Sequence, residues 1–197
     1  PAVMVVPGGA YSYCSQRESA SVALHFSLQG YQTFVLEYHC GEESEYPTPL
    51  IDIALAIAHI RKHAAEYDID PGRIAVVGFS AGGHLSALLG SLWWTSELST
   101  QTKLKPADME PNALILGYPV VNLKALFTLM SVENEQVDNF GAMFRGYSTI
   151  KDPMCLVNNR IPPVFLFTTQ QDSLIPPQHT LSYAQQLLEA GVSLEFH

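Results

Sequence analysis

The chain has 197 residues, 47% of them hydrophobic and 15% charged, and a formal net charge of −9. That hydrophobic share excludes an intrinsically disordered chain, and the length suits one domain, residues 1–197, able to bury a continuous core. So acidic a surface repels phosphate, which excludes nucleic acid and membrane as expected partners.

The chain opens on an apolar run, Pro1 to Val6, and closes on Ser193-Leu194-Glu195-Phe196-His197, which alternates like a strand and stops. Both ends read as cut inside strands, so further residues are expected on each side. Short β-branched runs predict strands at Ala2–Val6, Thr33–Tyr38, Ile74–Gly78, Ala113–Gly117, Val164–Thr169 and Val192–Phe196. They are apolar on both faces, as buried parallel strands are. Helical spacing fills the gaps. Glu18 to Gln29 ends at Gly30; Leu50, Ile53, Ile57, Ile60 and Ala64 form one stripe; Leu181, Ala184, Leu187 and Leu188 form another, stopped by Gly191. Strands alternating with helices predict a mostly parallel, doubly wound α/β sheet with helices on both faces. Leu92 to Asn112 reads as a polar loop. Val121 to Pro163 (about 121–163) is a long excursion, of a kind that usually serves function by covering a site.

Gly78-Phe79-Ser80-Ala81-Gly82 follows one strand and opens one helix, the order a nucleophile elbow requires. Ser80 is therefore the expected nucleophile, held on a sharp turn that needs small neighbours, and the Ala81 N–H at the helix start points at developing negative charge. Pro7-Gly8-Gly9-Ala10-Tyr11 follows the first strand, where a second set of oxyanion donors belongs, and Gly9 and Ala10 are the candidates. Asp172 follows the strand Val164–Thr169, on the same edge as Ser80 and after it in the chain, as a triad acid would. Tyr11 and Tyr13, beside the donors, are candidates to line the substrate pocket.

At these residues the chain resembles the α/β-hydrolase superfamily, and within it the esterase/lipase group of bacterial acetyl-esterase-like and acetylxylan-esterase-like enzymes. The likeness runs through Pro7 to Ser15, Tyr46-Pro47 with Asp52, Ile69 to His84 as the most specific part, and Pro162 to Phe167 with Asp172 and Ile175-Pro176. It implies a serine hydrolase of short-chain esters through a Ser-His-Asp triad, with acetylated sugars as a common substrate class and no cofactor. Ala10 stands where a third glycine is usual, and no residue matches the family's catalytic histidine after the last strand.

Seven histidines are present. His25, His59 and His63 fall in helices, His39 just past a strand, and His84 behind the elbow. His59 and His63 are spaced for a metal, but no H-E-x-x-H accompanies them, and no metal is expected. His179 and His197 are the weaker candidates for the base; the leading expectation is a histidine beyond residue 197. Cys14, in the Gly-rich loop, reads as a small packing thiol, and three cysteines without a close pair argue against a disulfide framework. Trp93 and Trp94 fit a pocket mouth and, equally, an interface or packing role. Two rivals to the esterase stay open: a binding protein of this fold that lacks the base, and a serine peptidase of the same fold. The substrate is expected to be a small-molecule ester; a homo-oligomer stays open, and the cytoplasm is the working expectation for compartment.

Overall fold

The computed structural model describes residues 1–126 and 152–197. Its strands are β1 (Ala2–Val6), β2 (Gln32–Val35), β3 (Ile74–Phe79), β4 (Ala113–Gly117), β5 (Val164–Phe167) and β6 (Leu194–Phe196). Its helices are α1 (Ala20–Leu28), α2 (Thr48–Lys62), α3 (Ser80–Leu92), α4 (Ser96–Thr102), α5 (Pro106–Met109) and α6 (Pro177–Glu189). The strands form one parallel sheet in the order β2-β1-β3-β4-β5-β6. From β1 the chain goes outward to β2, then returns to lay β3 on the other side. That reversal opens a crevice at the carboxyl ends of β1 and β3, where ligands bind in open α/β sheets.

The period of two along β1 sorts its side chains onto two faces. Ala2, Met4 and Val6 join Ile53 and Ile57 of α2, Leu85 and Leu88 of α3, and Tyr183 and Leu187 of α6 in the main core. Val3, Val5 and Val77 face the other way, against Val22, Ala23 and Phe26 of α1. Each fully buried Leu or Ile stabilises the fold by about 1.5–3 kcal/mol. Among the described residues no helix is long and apolar enough to cross a membrane.

Four expectations are corrected. The stretch expected as a polar loop from Leu92 to Asn112 holds α4 and α5. Thr95 caps α4 by accepting from the Leu98 N–H, Pro106 starts α5, and the Arg61 guanidinium donates to the Asp108 and Glu110 carbonyls. On α6 the buried stripe is Thr180, Tyr183, Ala184 and Leu187, whereas Leu181 and Leu188 are 51% and 62% exposed. Apolar spacing placed the stripe one residue off because Tyr183 and Thr180 carry it. The second strand ends at Val35 because Tyr38 leaves the sheet and donates its hydroxyl to the Pro7 carbonyl at 2.8 Å. The first helix is a 3₁₀ turn, Gln16–Glu18, followed by α1, not one helix from Glu18. Most of the excursion expected at 121–163 falls on residues 127–151, outside the described residues.

Candidate active site

Ser80 begins α3 directly after β3 and holds a positive φ of 51°. A non-glycine residue there costs about 1–3 kcal/mol and persists only where its surroundings over-determine it. They do so here. A Cβ on Gly78 would lie 2.4 Å from Ser86 Oγ and 2.5 Å from the Gly82 carbonyl oxygen. One on Gly82 would lie 2.1 Å from the Val6 carbonyl oxygen. Both glycines are therefore required by close approach, and the first turn of α3 presses against the end of β1. The Ser86 hydroxyl donates to the Gly82 carbonyl at 2.7 Å, and the Val120 N–H donates to the Ser80 carbonyl at 3.2 Å. Ser80 itself stays partly exposed.

The loop after β1 is strained as well. Gly9, Ala10 and Tyr11 have φ of 120°, 52° and 61°. Ala10 thus adopts the conformation that a third glycine would take more cheaply. The loop is closed by its own backbone: Ser12 N–H donates to the Gly9 carbonyl and Ser15 N–H to the Gly8 carbonyl, each at 2.9 Å. Among the described residues the Gly9 and Ala10 N–H groups donate to nothing. The Ala81 N–H, in the first turn of α3, has no intrahelical acceptor either.

Tyr11 is not a lining residue, contrary to expectation. It is 0% exposed, because its left-handed backbone turns the ring inward against Tyr38 and His84. Its hydroxyl is hydrogen-bonded to His84 Nδ1 at 2.7 Å. Burial pushes the His84 pKa down from 6.5 to about 3, so the ring is neutral and Nδ1 can accept. Tyr13 does line the cleft and is 61% exposed. The cleft, about 280 Å³, also takes in Gly9, Ala10, Ser12, Arg17, Glu18, Ser80 and Leu174.

Glu18 is the residue that sequence reasoning missed. Its Oε2 accepts the Gly8 N–H at 2.8 Å, and its Oε1 accepts the Tyr118 hydroxyl at 2.9 Å. One carboxylate thus fastens the Gly-rich loop to the end of β4. Burial, and then that bond, push the Tyr118 pKa up, with the charge of Asp172 adding to the effect. The only signal in the sequence was an acid three residues beyond the loop.

Asp172 lies beyond the end of β5, half-buried. Its Oδ1 accepts the N–H groups of Leu174 at 2.9 Å and Ile175 at 2.8 Å. Among the described residues Oδ2 accepts nothing. No histidine is bonded to Ser80 or Asp172 among the described residues. His197 continues β6, bonds Glu195 at 2.9 Å and stacks on Phe165. His179 sits in the first turn of α6, and desolvation lowers its pKa. His39 pairs with Asp52 at 2.8 Å. Trp93 packs against the core and its indole donates to the Arg160 carbonyl, whereas the more exposed Trp94 ring lies 4.8 Å beneath the Arg160 guanidinium. Cys14 and Cys40, distant in sequence, are brought to 3.7 Å between sulfurs.

The BD-FAE family model matches residues 1–187. The chain belongs to the BD-FAE family. Across 193 residues it is 29% identical to endo-1,4-beta-xylanase B of Butyrivibrio fibrisolvens, covering 96% of this chain and 30% of that protein. The structure of a carboxylesterase from Lactobacillus plantarum superposes with a TM-score of 0.86 at 32% identity, over 100% of this chain and 70% of that one. An acetyl ester-xyloside bifunctional hydrolase from Caldicellulosiruptor lactoaceticus gives a TM-score of 0.79 at 32% identity, over 100% of this chain and 71% of that one. The chain spans 30% of the xylanase and 46% to 47% of the next two curated relatives. With these neighbours and the all-parallel sheet, this BD-FAE member has the α/β-hydrolase fold. Within it, Ser80, the loop after β1 and Asp172 occupy one edge of the sheet.

Proposed function

We propose that this chain carries the catalytic centre of a serine carboxylesterase. The observation that carries the reading is Ser80: a strained, partly exposed hydroxyl at the switch point of the sheet, sharing a cleft with Gly9 and Ala10, whose N–H groups are undonated. Ser80 Oγ attacks the ester carbonyl carbon while a histidine takes its proton. The carbonyl oxygen becomes an oxyanion and accepts from Gly9, Ala10 and Ala81. The alcohol leaves with the proton returned by the histidine, and water then releases the acyl group by the same route. Asp172, through Oδ2, orients that histidine and stabilises its charged form. The base is assigned to a histidine following residue 197 in the full protein. The reading draws support from the carboxylesterase that shares the fold.

The substrate is proposed to be a short acyl ester, acetyl above all, of a sugar-like alcohol. A cleft of about 280 Å³ lies at the small end of ligand sites. Among the described residues lining it, Leu174 is the sole large aliphatic side chain, and the exposed Tyr13 phenol can bond a hydroxylated alcohol. The acetyl ester-xyloside hydrolase and the xylanase among similar proteins point the same way. The test is a chain-length series of nitrophenyl esters on the full-length protein, run beside an acetylated xylo-oligosaccharide. Turnover should fall from acetate to decanoate and include the acetylated sugar. A rise toward decanoate, with no release of acetate from the sugar, would contradict the substrate assignment.

A further inference from the structure

Two loops meet beside the cleft at a pair of sulfurs. Cys14 lies in the loop after β1, four residues beyond Ala10, and Cys40 lies in the loop between β2 and α2. Both are free and partly exposed, and their Sγ atoms stand 3.7 Å apart. Both thiols reach the same acceptor, the Tyr38 carbonyl, Cys40 at 3.3 Å and Cys14 at 3.9 Å. The same loops are joined a second time where the Gly41 N–H donates to the Tyr11 carbonyl at 2.7 Å. The side chains are thus aimed at each other by a backbone already fastened on either side.

We propose that Cys14 and Cys40 form a redox-active dithiol that closes to a reversible disulfide by exchange with a low-molecular-weight disulfide, and that closure slows the enzyme. Closing the bond brings the sulfurs from 3.7 Å to about 2.05 Å, a movement of about 1.7 Å. In the proposed closed form the Gly8–Ser15 segment takes up part of that movement, and displacing a catalytic group by about 1 Å is enough to cost up to about a hundredfold in rate. The cross-link stands on the sulfur geometry; its effect on turnover rests on the esterase reading.

The exchange balances in two steps. The Cys14 thiolate attacks one sulfur of the small disulfide, forming a mixed disulfide and expelling one thiolate. Cys40 then gives its proton to that thiolate and attacks Cys14 Sγ, expelling the second. Two protein thiols are oxidised and one small disulfide is reduced to two thiols. The contact between the two sulfurs lowers the Cys14 pKa and, with burial, pushes Cys40 up, in keeping with Cys14 as the attacking sulfur and Cys40 as the resolving one.

The test uses the full-length protein treated with oxidised glutathione, alkylated, digested and mapped by mass spectrometry, with nitrophenyl acetate turnover measured in parallel. The expected result is a Cys14–Cys40 linked peptide, with the exposed Cys155 outside that link. Turnover should fall about tenfold and return with dithiothreitol. Cys40→Ser should match the wild type when reduced and, after oxidation, carry glutathione on Cys14 in place of the link. Glutathione on Cys14 of the wild type without the link would overturn the proposal, and so would a complete link with unchanged turnover. A reduced protein that hydrolyses no ester would sink the esterase reading instead, and the linked peptide would still decide the dithiol.

Discussion

The loops after β1 and after β5 stand on the same edge of the sheet and are built in opposite ways. The first spends its polar groups on itself: Ser12 and Ser15 close it, Glu18 clamps Gly8, and Tyr11 is buried on His84. What it leaves over is a pair of N–H groups, at Gly9 and Ala10. The second holds a charge by two backbone N–H groups on one oxygen of Asp172 and leaves the other oxygen open. One loop presents donors and the other an acceptor, and Ser80 shares a cleft with Gly9 and Ala10 of the first and Leu174 of the second. Stabilising an oxyanion needs donors fixed in advance, because no reorganisation is then required as charge develops. Orienting a histidine needs only one well-placed carboxylate oxygen. The difference teaches that the proposed donors all lie within the described residues, whereas among those residues no histidine is bonded to Ser80 or Asp172.

The largest effect belongs to the residue both loops serve. Ser80→Ala should lower kcat on nitrophenyl acetate by about a millionfold in the full-length protein. Residual turnover within tenfold of the wild type would mean that neither loop faces the reacting atom.

Next comes the acceptor side. Asp172→Asn should lower kcat by about 10⁴ by holding the base in the wrong tautomer. Asp152 is the control, because it caps the turn Pro153–Leu156 by accepting the Met154 N–H, and asparagine caps as well. Asp152→Asn should be close to wild type. Kinetics in which the two variants exchange ranks would move the acid away from β5.

The donor side is sharpened through Glu18. Glu18→Ala should lower kcat by about a hundredfold with KM little changed, since it frees the donor loop rather than a binding group. Glu18→Gln keeps an acceptor for the Gly8 N–H and should recover most of that loss. Equal losses in both variants, or a loss confined to KM, would make Glu18 a substrate-binding group instead.

The smallest effect is expected from the buried bond that holds Tyr11. Tyr11→Phe removes that bond to His84 Nδ1 and should cost about 1–3 kcal/mol of stability, with a smaller fall in kcat than Glu18→Ala. A pH dependence belongs to the same pair. His84 is neutral in the fold with its pKa near 3, against 6.5 ordinarily, so its contribution to stability is present above pH 6.5 and is lost as pH falls toward 3. Thermal unfolding followed from pH 8 to pH 4 should show Tm falling below pH 6.5. A flat Tm across that range would contradict a neutral buried His84.

Which of these features the sequence revealed depends on how local they are. Strand, elbow and helix around Ser80 are a contiguous pattern, and β3, α3 and the positive φ follow from it. The parallel sheet was legible through its four inner strands, β1, β3, β4 and β5, which are apolar and buried or half-buried, whereas the edge strands β2 and β6 are more exposed than their apolar pattern led one to expect. Tyr11 was misplaced because the direction of a ring depends on a left-handed φ, which an alanine-tyrosine pair does not advertise. Glu18, Tyr118 and the meeting of Cys14 with Cys40 are long-range contacts that only the fold creates. The helices α4 and α5 were hidden by polar surfaces that bury little beyond Leu98 and Met109.

The central claim is that Ser80 is the reacting atom between the two loops. Its most direct measurement is covalent labelling of the full-length protein by a fluorophosphonate, with the adduct mapped by peptide mass spectrometry. The account predicts one adduct, on the peptide containing Ser80, and none in Ser80→Ala. An adduct on any other residue, or labelling that survives Ser80→Ala, would contradict it.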